Sequence, residues 1–476
     1  MIRTRIAPSP TGNLHIGTAR TALFNYLFAR KMGGKFILRI EDTDLERSDK
    51  KYEKNILAGL KWLGIEADEG PEEGGDYGPY RQSERLPSYK TYLEKLLQEK
   101  KAFYCFHSEA ELEEERNQLL KAKNPPVHFC EYRGMDLREA EDIKDIKKDY
   151  IIRFKNHAGR KVSFSDLIRG EMEFESDLIG DFSLAKDLDT PLYNFAVVID
   201  DQEMKISHVI RGEDHLPNTP KQLLLIEALD LQRPQYAHLP LILGSDRSKM
   251  SKRHGATSVD EYREAGYLPE VLFNFMALLG WNPGGEQEIF SREELIEKFS
   301  LDEVHKSGAV FDITKLDWMN GEYIRQKSVE ELVKLCKPYL KDFPSKPDEY
   351  LAKVISLEQP RLKKLSELAE KAGYFFREPE YEKELLRWKK MTDEEIKQSL
   401  EKSLEILQDN QKTEAEKIEK IFLDEAARGG DRGKLLWPLR AALSGQKASA
   451  GPFEILKILG VGESIRRLNL GVKKIS

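Results

Sequence analysis

The first forty residues restrict the fold more than any other stretch of this chain. Ile2, Thr4 and Ile6 alternate with Arg3, Arg5 and Ala7, the period-two pattern of a short strand, and Pro8-Ser9-Pro10-Thr11-Gly12 stops it. After Gly17, the residues Ala19, Ala22, Leu23, Tyr26 and Leu27 recur at helical spacing, which predicts a helix from about Thr18. A second strand is expected over 35–40, behind Gly33-Gly34. Strand, helix, strand in this order reads as a parallel, Rossmann-type sheet, with ligands off the strand C-termini. Glu41-Asp42-Thr43-Asp44 lies there.

At 476 residues the chain has room for several domains at ~150 residues each. From about 88 to 192 the pattern changes to a charged helix (109–123) and short alternating segments (150–154, 171–175), which looks like an insertion. Strands are expected again at 195–199, 208–210 and 239–243, with a helix between them that opens at Asn218 as cap, has Pro220 in its first turn, and runs to about Ala228. The sheet is therefore assembled from discontinuous sequence. Beyond Tyr262 strand signals almost vanish, and helices are expected over 269–279, 291–299, 329–339, 347–357 and 361–372. The stretch 378–424 is dominated by Glu and Lys at mixed spacing and reads as a solvated helical face.

Charge and cysteine content exclude several classes. Lys+Arg 76 against Asp+Glu 83 gives a net charge of −7, so the chain is no basic nucleic-acid coat protein, and a polyanion must meet a local patch. Residues 428–476 offer one, with ten Lys/Arg against three Asp/Glu, although a solvated basic tail has the same composition. The N-terminus lacks the apolar core of a secretory signal, and the longest apolar stretch, 271–281, contains Asn274 and falls short of the ~20 residues of a membrane span. A cytoplasmic protein without a membrane partner is expected. Three cysteines, Cys105, Cys130 and Cys336, cannot build a disulfide framework.

Two segments carry chemistry. The turn into the helix at His15-Ile16-Gly17-Thr18 gathers backbone N–H groups, a helix N-terminus and an imidazole, a corner suited to phosphate. A side chain at Gly17 would block a nucleotide from lying against the backbone. In the second, Lys249-Met250-Ser251-Lys252-Arg253 sets three cations within five residues, two of them lysines three apart that can neutralise a departing pyrophosphate. Taken alone, the first also reads as a Gly/Pro-rich turn and the second as a solvated loop.

Together these residues resemble the two signatures of class I aminoacyl-tRNA synthetases. The segments 3–12, 39–44 (RIEDTD), 193–195 (YNF), 210–215 (IRGEDH) and 251–255 (SKRHG) resemble the bacterial glutamyl-tRNA synthetase family, as do Trp437-Pro438-Leu439-Arg440 and Gly451-Pro452 near the C-terminus. The resemblance implies an α/β plus all-α protein: a class I Rossmann-type catalytic domain in two halves (1–87 and 192–243), an α+β acceptor-binding insertion (88–191), a stem-contact domain with the Lys249–Arg253 loop (244–325), and an all-helical anticodon-binding region in two subdomains (326–378 and 379–476).

It further implies that glutamate is activated by ATP with Mg2+ and transferred to the 3′ end of tRNA(Glu), that activation requires the tRNA, and that the enzyme is a monomer. It is compatible with charging tRNA(Glu) alone or tRNA(Gln) as well. Catalysis then falls to His15, Lys249 and Lys252, and ATP binding to Pro8, Ser9, His15, Gly17, Thr18, Lys249, Met250, Ser251, Lys252 and Arg253. Thr18 stands where many class I enzymes have His, and is given a secondary role. Choosing glutamate over glutamine requires a cation opposite the side-chain carboxylate. The implied glutamate residues are Arg5, Ala7, Ser9, Tyr193 and Arg211, with Glu41 receiving the ammonium group. Asp44 reads better as a cap or solvated acid, and Tyr193 also reads as core. Arg361, taken to follow Pro360 at a helix start, and Arg440 are chosen as anticodon readers.

Some relatives bind zinc in the insertion. Here Cys105, His107, Cys130 and Tyr132 form the two corresponding pairs, with His128 as a substitute for the unusual tyrosine; two partly buried thiols are the other reading. Three further classes remain as alternatives: a tRNA-modifying paralogue, which lacks the helical C-terminal region, a small-molecule nucleotidyltransferase, which is a short chain, and a non-catalytic RNA-binding descendant, which would have lost His15 or Lys252. ATP–pyrophosphate exchange with glutamate discriminates among them.

Overall fold

The computed structural model describes every residue except Leu45, Lys148 and Ser476, together with the side chain of Asp145. The chain divides into two units, one of 1–263 with 269–313 and one of 264–268 with 314–476. This division falls inside the stretch 244–325 expected to form one domain.

In the first unit β1 (Arg3–Ile6) and β2 (Lys35–Leu38) pair in parallel, with Arg3 opposite Lys35 and Ile6 opposite Leu38. The crossover is the helix Ile16–Lys31, which packs Ala19, Ala22, Leu23 and Leu27 fully out of solvent. It begins two residues earlier than the apolar spacing indicates because His15 caps it: Nδ1 accepts the Gly17 N–H at 3.0 Å. The second strand is shorter than 35–40, since beyond Leu38 the chain bonds Arg39 N to Ile6 O and Ile40 N to Tyr80 O.

The insertion contributes β3 (Ala102–Cys105), β4 (Ile151–Phe154), β5 (Lys161–Asp166), β6 (Gly170–Glu175), β7 (Phe182–Asp187) and β8 (Thr190–Pro191). Strands β3, β4, β7 and β8 make an antiparallel sheet in that order. The β5–β6 hairpin does not stay with them. It joins β9 (His208–Gly212) and β10 (Gln235–Leu239) in the order β6-β5-β10-β9, with Asp166 beside Tyr236. Strand β9 in turn lies next to β1, where Ser207 N donates to Arg3 O at 3.0 Å. Part of the insertion is thus an edge of the central sheet.

Three expected elements differ. Residues 195–199 are not a strand but lie within the helix Tyr193–Glu203, in which every residue from Phe195 to Asp201 is buried. A helix enclosed on all sides has no polar stripe, so its short apolar run carries no period. The strand expected over 239–243 is split at Pro240, which has no N–H to give a ladder; β11 (Ile242–Leu243) pairs instead with β12 (Ala309–Val310). Before the helix Thr219–Leu229 the chain makes a 3-10 turn over Glu213–Asn218, and Asn218, already helical in backbone, gives no side-chain cap.

Among its described residues the second unit is built from helices and 3-10 turns joined by loops, with no strand. In its Glu/Lys-rich part, the helix Asp393–Asp409 buries Ile396, Leu400, Leu404 and Leu407, so 378–424 is more than a solvated face. Only Glu367–Ala372 of the expected helix 361–372 forms. Gln359–Arg361 is a 3-10 turn that ends the helix Asp348–Glu358, so Arg361 sits at a helix end, not a start. Among the described residues no helix is long and apolar enough to cross a membrane.

Under the carboxyl ends of β1 and β2 the fold buries a cluster of charges. Arg39 has no solvent exposure and meets Asp201 at 2.8 Å, Glu41 at 3.2 Å and Asp200 at 3.5 Å. Asp200 also accepts from Arg85 (2.6 Å), Gln82 (2.7 Å) and Tyr89 (2.8 Å). Removing one member of a buried ion pair leaves its partner's desolvation uncompensated, at a cost of about 3–5 kcal/mol. Arg39→Met should therefore bring forward the first unfolding transition in urea by an amount in that range; an unchanged midpoint would mean that Arg5 and Arg85 alone satisfy the carboxylates.

Candidate active site

Strand β2 lies on one side of β1 and β9 on the other, so the chain reverses its direction of travel across the sheet between β1 and β9. In open α/β sheets ligands bind off the carboxyl ends of the strands at such a switch point. A cavity of about 870 Å3 opens there.

Its walls hold most of the residues singled out from the sequence. Arg5, Ala7, Ser9, Glu41, Tyr193 and Arg211 line it, as do Pro8, His15, Gly17, Thr18, Lys249 and Met250. Ser251, Lys252 and Arg253 do not. Lys252 opens a 3-10 turn, Lys252–His254, and is exposed. Arg253 points back along its own loop to Asp246 (3.1 Å) and Ser248 Oγ (2.6 Å), while Ser251 Oγ lies 3.3 Å from His254 Nδ1. Asp44, which also lines the cavity, is paired with Arg47 at 2.6 Å.

The side chains are held from below by the buried cluster. Arg5, itself buried, donates through Nε and Nη2 to Asp201 at 3.1 and 3.2 Å, and Asp201 is shared with Arg39. Arg39 also donates to Glu41, whose carboxyl burial pushes above the usual range while Arg39 and Arg5 pull it down. An ammonium group beside it would favour its charged form. Arg211 is held by Thr219 (2.7 Å) and His238 (3.2 Å), and its Nη1 has no hydrogen-bond partner. Tyr193 Oη lies 3.0 Å from His215 Nδ1.

His15 lines the same cavity. Because Gly17 N–H donates to Nδ1, the ring proton sits on Nε2, and burial together with the nearby Lys249 lowers its pKa and favours the neutral ring. A Cβ at Gly17 would lie 3.3 Å from His15 Nδ1, so a side chain there crowds the capping imidazole itself. The loop that follows Arg253 returns to this corner: Ile16 N donates to Thr257 O and Val259 N to Leu14 O. The two sequence signatures thus share one wall. Lys249 lies 3.4 Å from Asp214, on the rim.

In the insertion, the ligand-type atoms of Cys105, His107, His128 and Cys130 all lie within 4.8 Å of one another. The substitute His128, not Tyr132, completes the set. Tyr132 packs edge-on against Phe106 and accepts from Lys147 at 3.1 Å. In the second unit, Arg361 donates to both oxygens of the fully buried Glu358 at 2.7 Å, and Arg440 donates to Ser449 and the Lys447 carbonyl over the face of Trp437.

Sequence reasoning missed Asp200, Asp201, Thr219 and His238. The acidic pair ends an apolar run that reads as a strand, and nothing in its spacing marks it as the partner of Arg5.

Known proteins match this architecture along its length. Residues 1–318 match the family described as tRNA synthetases class I (E and Q), catalytic domain, and residues 331–472 the anticodon binding domain. A glutamate–tRNA ligase of Carboxydothermus hydrogenoformans is 50% identical over 478 residues, covering 98% of this chain and 99% of the relative. Glutamate–tRNA ligase 1 of Caldicellulosiruptor saccharolyticus is 47% identical, covering 98% of each. Among solved structures, a glutamate tRNA ligase from Elizabethkingia meningosepticum in complex with its amino acid superposes with a TM-score of 0.89 at 35% identity over 100% of both chains. With Arg5, Arg211, His15 and Lys249 around one cavity and these likenesses running end to end, the chain belongs to the glutamate–tRNA ligases of class I.

Proposed function

We propose that the chain activates L-glutamate with ATP to glutamyl-adenylate, in the presence of tRNA, and transfers the glutamyl group to the 3′ end of tRNA(Glu). The observation that carries this reading is the convergence of two groups on one cavity: Arg5, Arg211 and Glu41 around Tyr193, and His15 with Lys249. An amino acid lying between the arginines presents its α-carboxylate toward the phosphate corner. A carboxylate oxygen attacks the α-phosphorus, the bond to the bridging oxygen breaks, and pyrophosphate leaves. Mg2+ arrives with the nucleotide and offsets phosphate charge. His15 donates from Nε2 to a phosphate oxygen, and Lys249 meets the pyrophosphate. Lys252 reaches the phosphates by movement of the loop 244–255 toward the cavity.

Pyrophosphate exchange tests this. Lys252→Ala is expected to lower the exchange rate at saturating ATP by about a hundredfold or more, as for loss of a group that stabilises transition-state charge. Lys249→Ala should also lower the exchange rate at saturating ATP, by less than Lys252→Ala, because it removes a cation that meets the leaving pyrophosphate. Exchange that proceeds normally in Lys252→Ala, or exchange as fast without tRNA as with it, would overturn the corresponding part of the proposal.

The cluster in the insertion fits zinc. A tetrahedral ion at ~2.3 Å from sulfur and ~2.05 Å from nitrogen sets S···N edges of about 3.5 Å. The S···N separations from Cys105 to His107 and His128 are 3.5 and 3.6 Å, and that from Cys130 to His107 is 3.7 Å. Glu115 bonds Nδ1 of His128, leaving Nε2 toward the sulfurs, the usual outer support of a metal-binding histidine. Four protein ligands leave no open position, so the ion would serve structure, tying the segment 128–130 to β3. Elemental analysis of the purified protein is expected to give one zinc per chain, lost in both Cys105→Ser and Cys130→Ser and retained in Tyr132→Phe. Zinc-free, fully folded protein would end the proposal.

The C-terminal unit is proposed to read the anticodon, with Arg361 and Arg440 held ready by Glu358 and by Trp437 and Ser449. Planar guanidinium groups stack on and hydrogen-bond unpaired bases. Changing the third anticodon base should reduce charging by the parent enzyme and leave Arg361→Ala nearly indifferent to it. Undiminished discrimination in that variant would remove the role given to Arg361.

A further inference from the structure

Arg211 does not stand alone in its wall. Behind it lies a chain of buried polar groups that begins in the insertion. Asp166, the last residue of β5, accepts from His238 Nδ1 at 2.6 Å and from the backbone N–H of His238 at 3.1 Å, and its other oxygen accepts from the N–H groups of Ile168 and Arg169. A carboxylate so placed accepts only, so Nδ1 carries the ring proton and Nε2 presents its lone pair. Two donors converge on that lone pair, Thr219 Oγ1 at 3.0 Å and Arg211 Nε at 3.2 Å. The ring is closed by Arg211 Nη2, which donates to Thr219 Oγ1 at 2.7 Å. His238 and Thr219 have no solvent exposure, and Asp166 and Arg211 have 2% and 4%.

The consequence is directional. Every bond in the series fixes the sense of the next, from carboxylate to imidazole tautomer to hydroxyl to guanidinium. It occupies Nε and Nη2 of Arg211, while Nη1 has no partner. A guanidinium held at two of its three nitrogens by neutral acceptors keeps its charge uncompensated, unlike Arg5, which faces Asp201.

We infer that Asp166, His238 and Thr219 are positioning residues that orient Arg211 and keep its charge unpaired for a carboxylate of the amino acid substrate. This rests on the reading of Arg211 as a glutamate-binding residue. It gives the β5–β6 hairpin of the insertion a share in selecting the amino acid, through a group that never touches it. None of the three takes part in the chemical step, so their loss is felt in amino-acid binding and not in ATP binding.

The test is steady-state charging by the full-length enzyme with saturating tRNA(Glu), reading the KM values for glutamate and ATP separately. His238→Ala is expected to raise the KM for glutamate about tenfold, the effect of misplacing one charge-assisted contact, with the KM for ATP within about twofold. Thr219→Val, which keeps the side-chain volume and removes the hydroxyl, should give a smaller rise with the same split. His238→Gln, which again offers one donor and one acceptor, should recover part of the loss. Should His238→Ala fail to fold, the split in Thr219→Val decides. Equal rises in both KM values, or an unchanged KM for glutamate in Thr219→Val, would overturn the inference. Arg211→Lys measured alongside separates the two layers. If it leaves the KM for glutamate unchanged, the reading of Arg211 itself fails; if it raises that KM while the Thr219 and His238 variants do not, only the positioning series fails.

Discussion

Arg39 cannot be solvated where it sits, and that single fact organises the catalytic unit. A guanidinium at zero exposure needs opposite charge around it, and the fold supplies Asp200, Asp201 and Glu41 from two different stretches of chain. Those acids are in turn buried and draw in Arg5 and Arg85. The helix Tyr193–Glu203 is thereby locked under the ends of β1 and β2, and the two groups that project upward from the cluster, Arg5 and Glu41, have almost no freedom of orientation. Charge satisfaction below the cavity becomes geometry within it.

The two arginines of the cavity are supported in opposite ways. Arg5 rests on an acid, so part of its charge is already answered, whereas Arg211 rests on an imidazole and a hydroxyl and keeps its charge whole. Of the pair, Arg211 therefore offers the stronger pull on an incoming anion, and Arg5 the more rigidly fixed one. The wall around His15 is built on a different principle, a helix terminus whose capping side chain also lines the cavity, so that His15 is oriented by the helix it starts.

What could be read from the sequence follows from how local each signal is. The strand, turn and helix at the N-terminus declare themselves because alternation, Pro-Ser-Pro-Thr-Gly and the capped helix lie within thirty residues of one another. The cavity residues Arg5, His15, Glu41 and Arg211 were legible as motif members. Their supports were not, because Asp201, His238 and Asp166 are brought to them only by sheet pairing across long stretches of chain. The apolar run 195–199 has the look of a strand because full burial erases the helical period, and Leu239 to Leu243 that of one strand because Pro240 interrupts the ladder without interrupting hydrophobicity. Pair spacing pointed to Tyr132 beside the cysteines, but the 3-10 turn Glu131–Gly134 swings that ring against Phe106 and leaves the place to His128.

The neighbour of β1 on its inner side is β9, and the bonds between Arg3 and Ser207 span 204 residues. During synthesis at about 5–20 residues per second, the first strand therefore emerges from the ribosome roughly 10–40 s before its partner exists. Through that interval the unit of β1, the helix Ile16–Lys31 and β2 has an open strand edge, with the backbone of Arg3 unpaired and Arg5 without its acid. An unpaired strand edge is an aggregation-exposed feature, and here its exposure lasts as long as the synthesis of the 204 residues between Arg3 and Ser207.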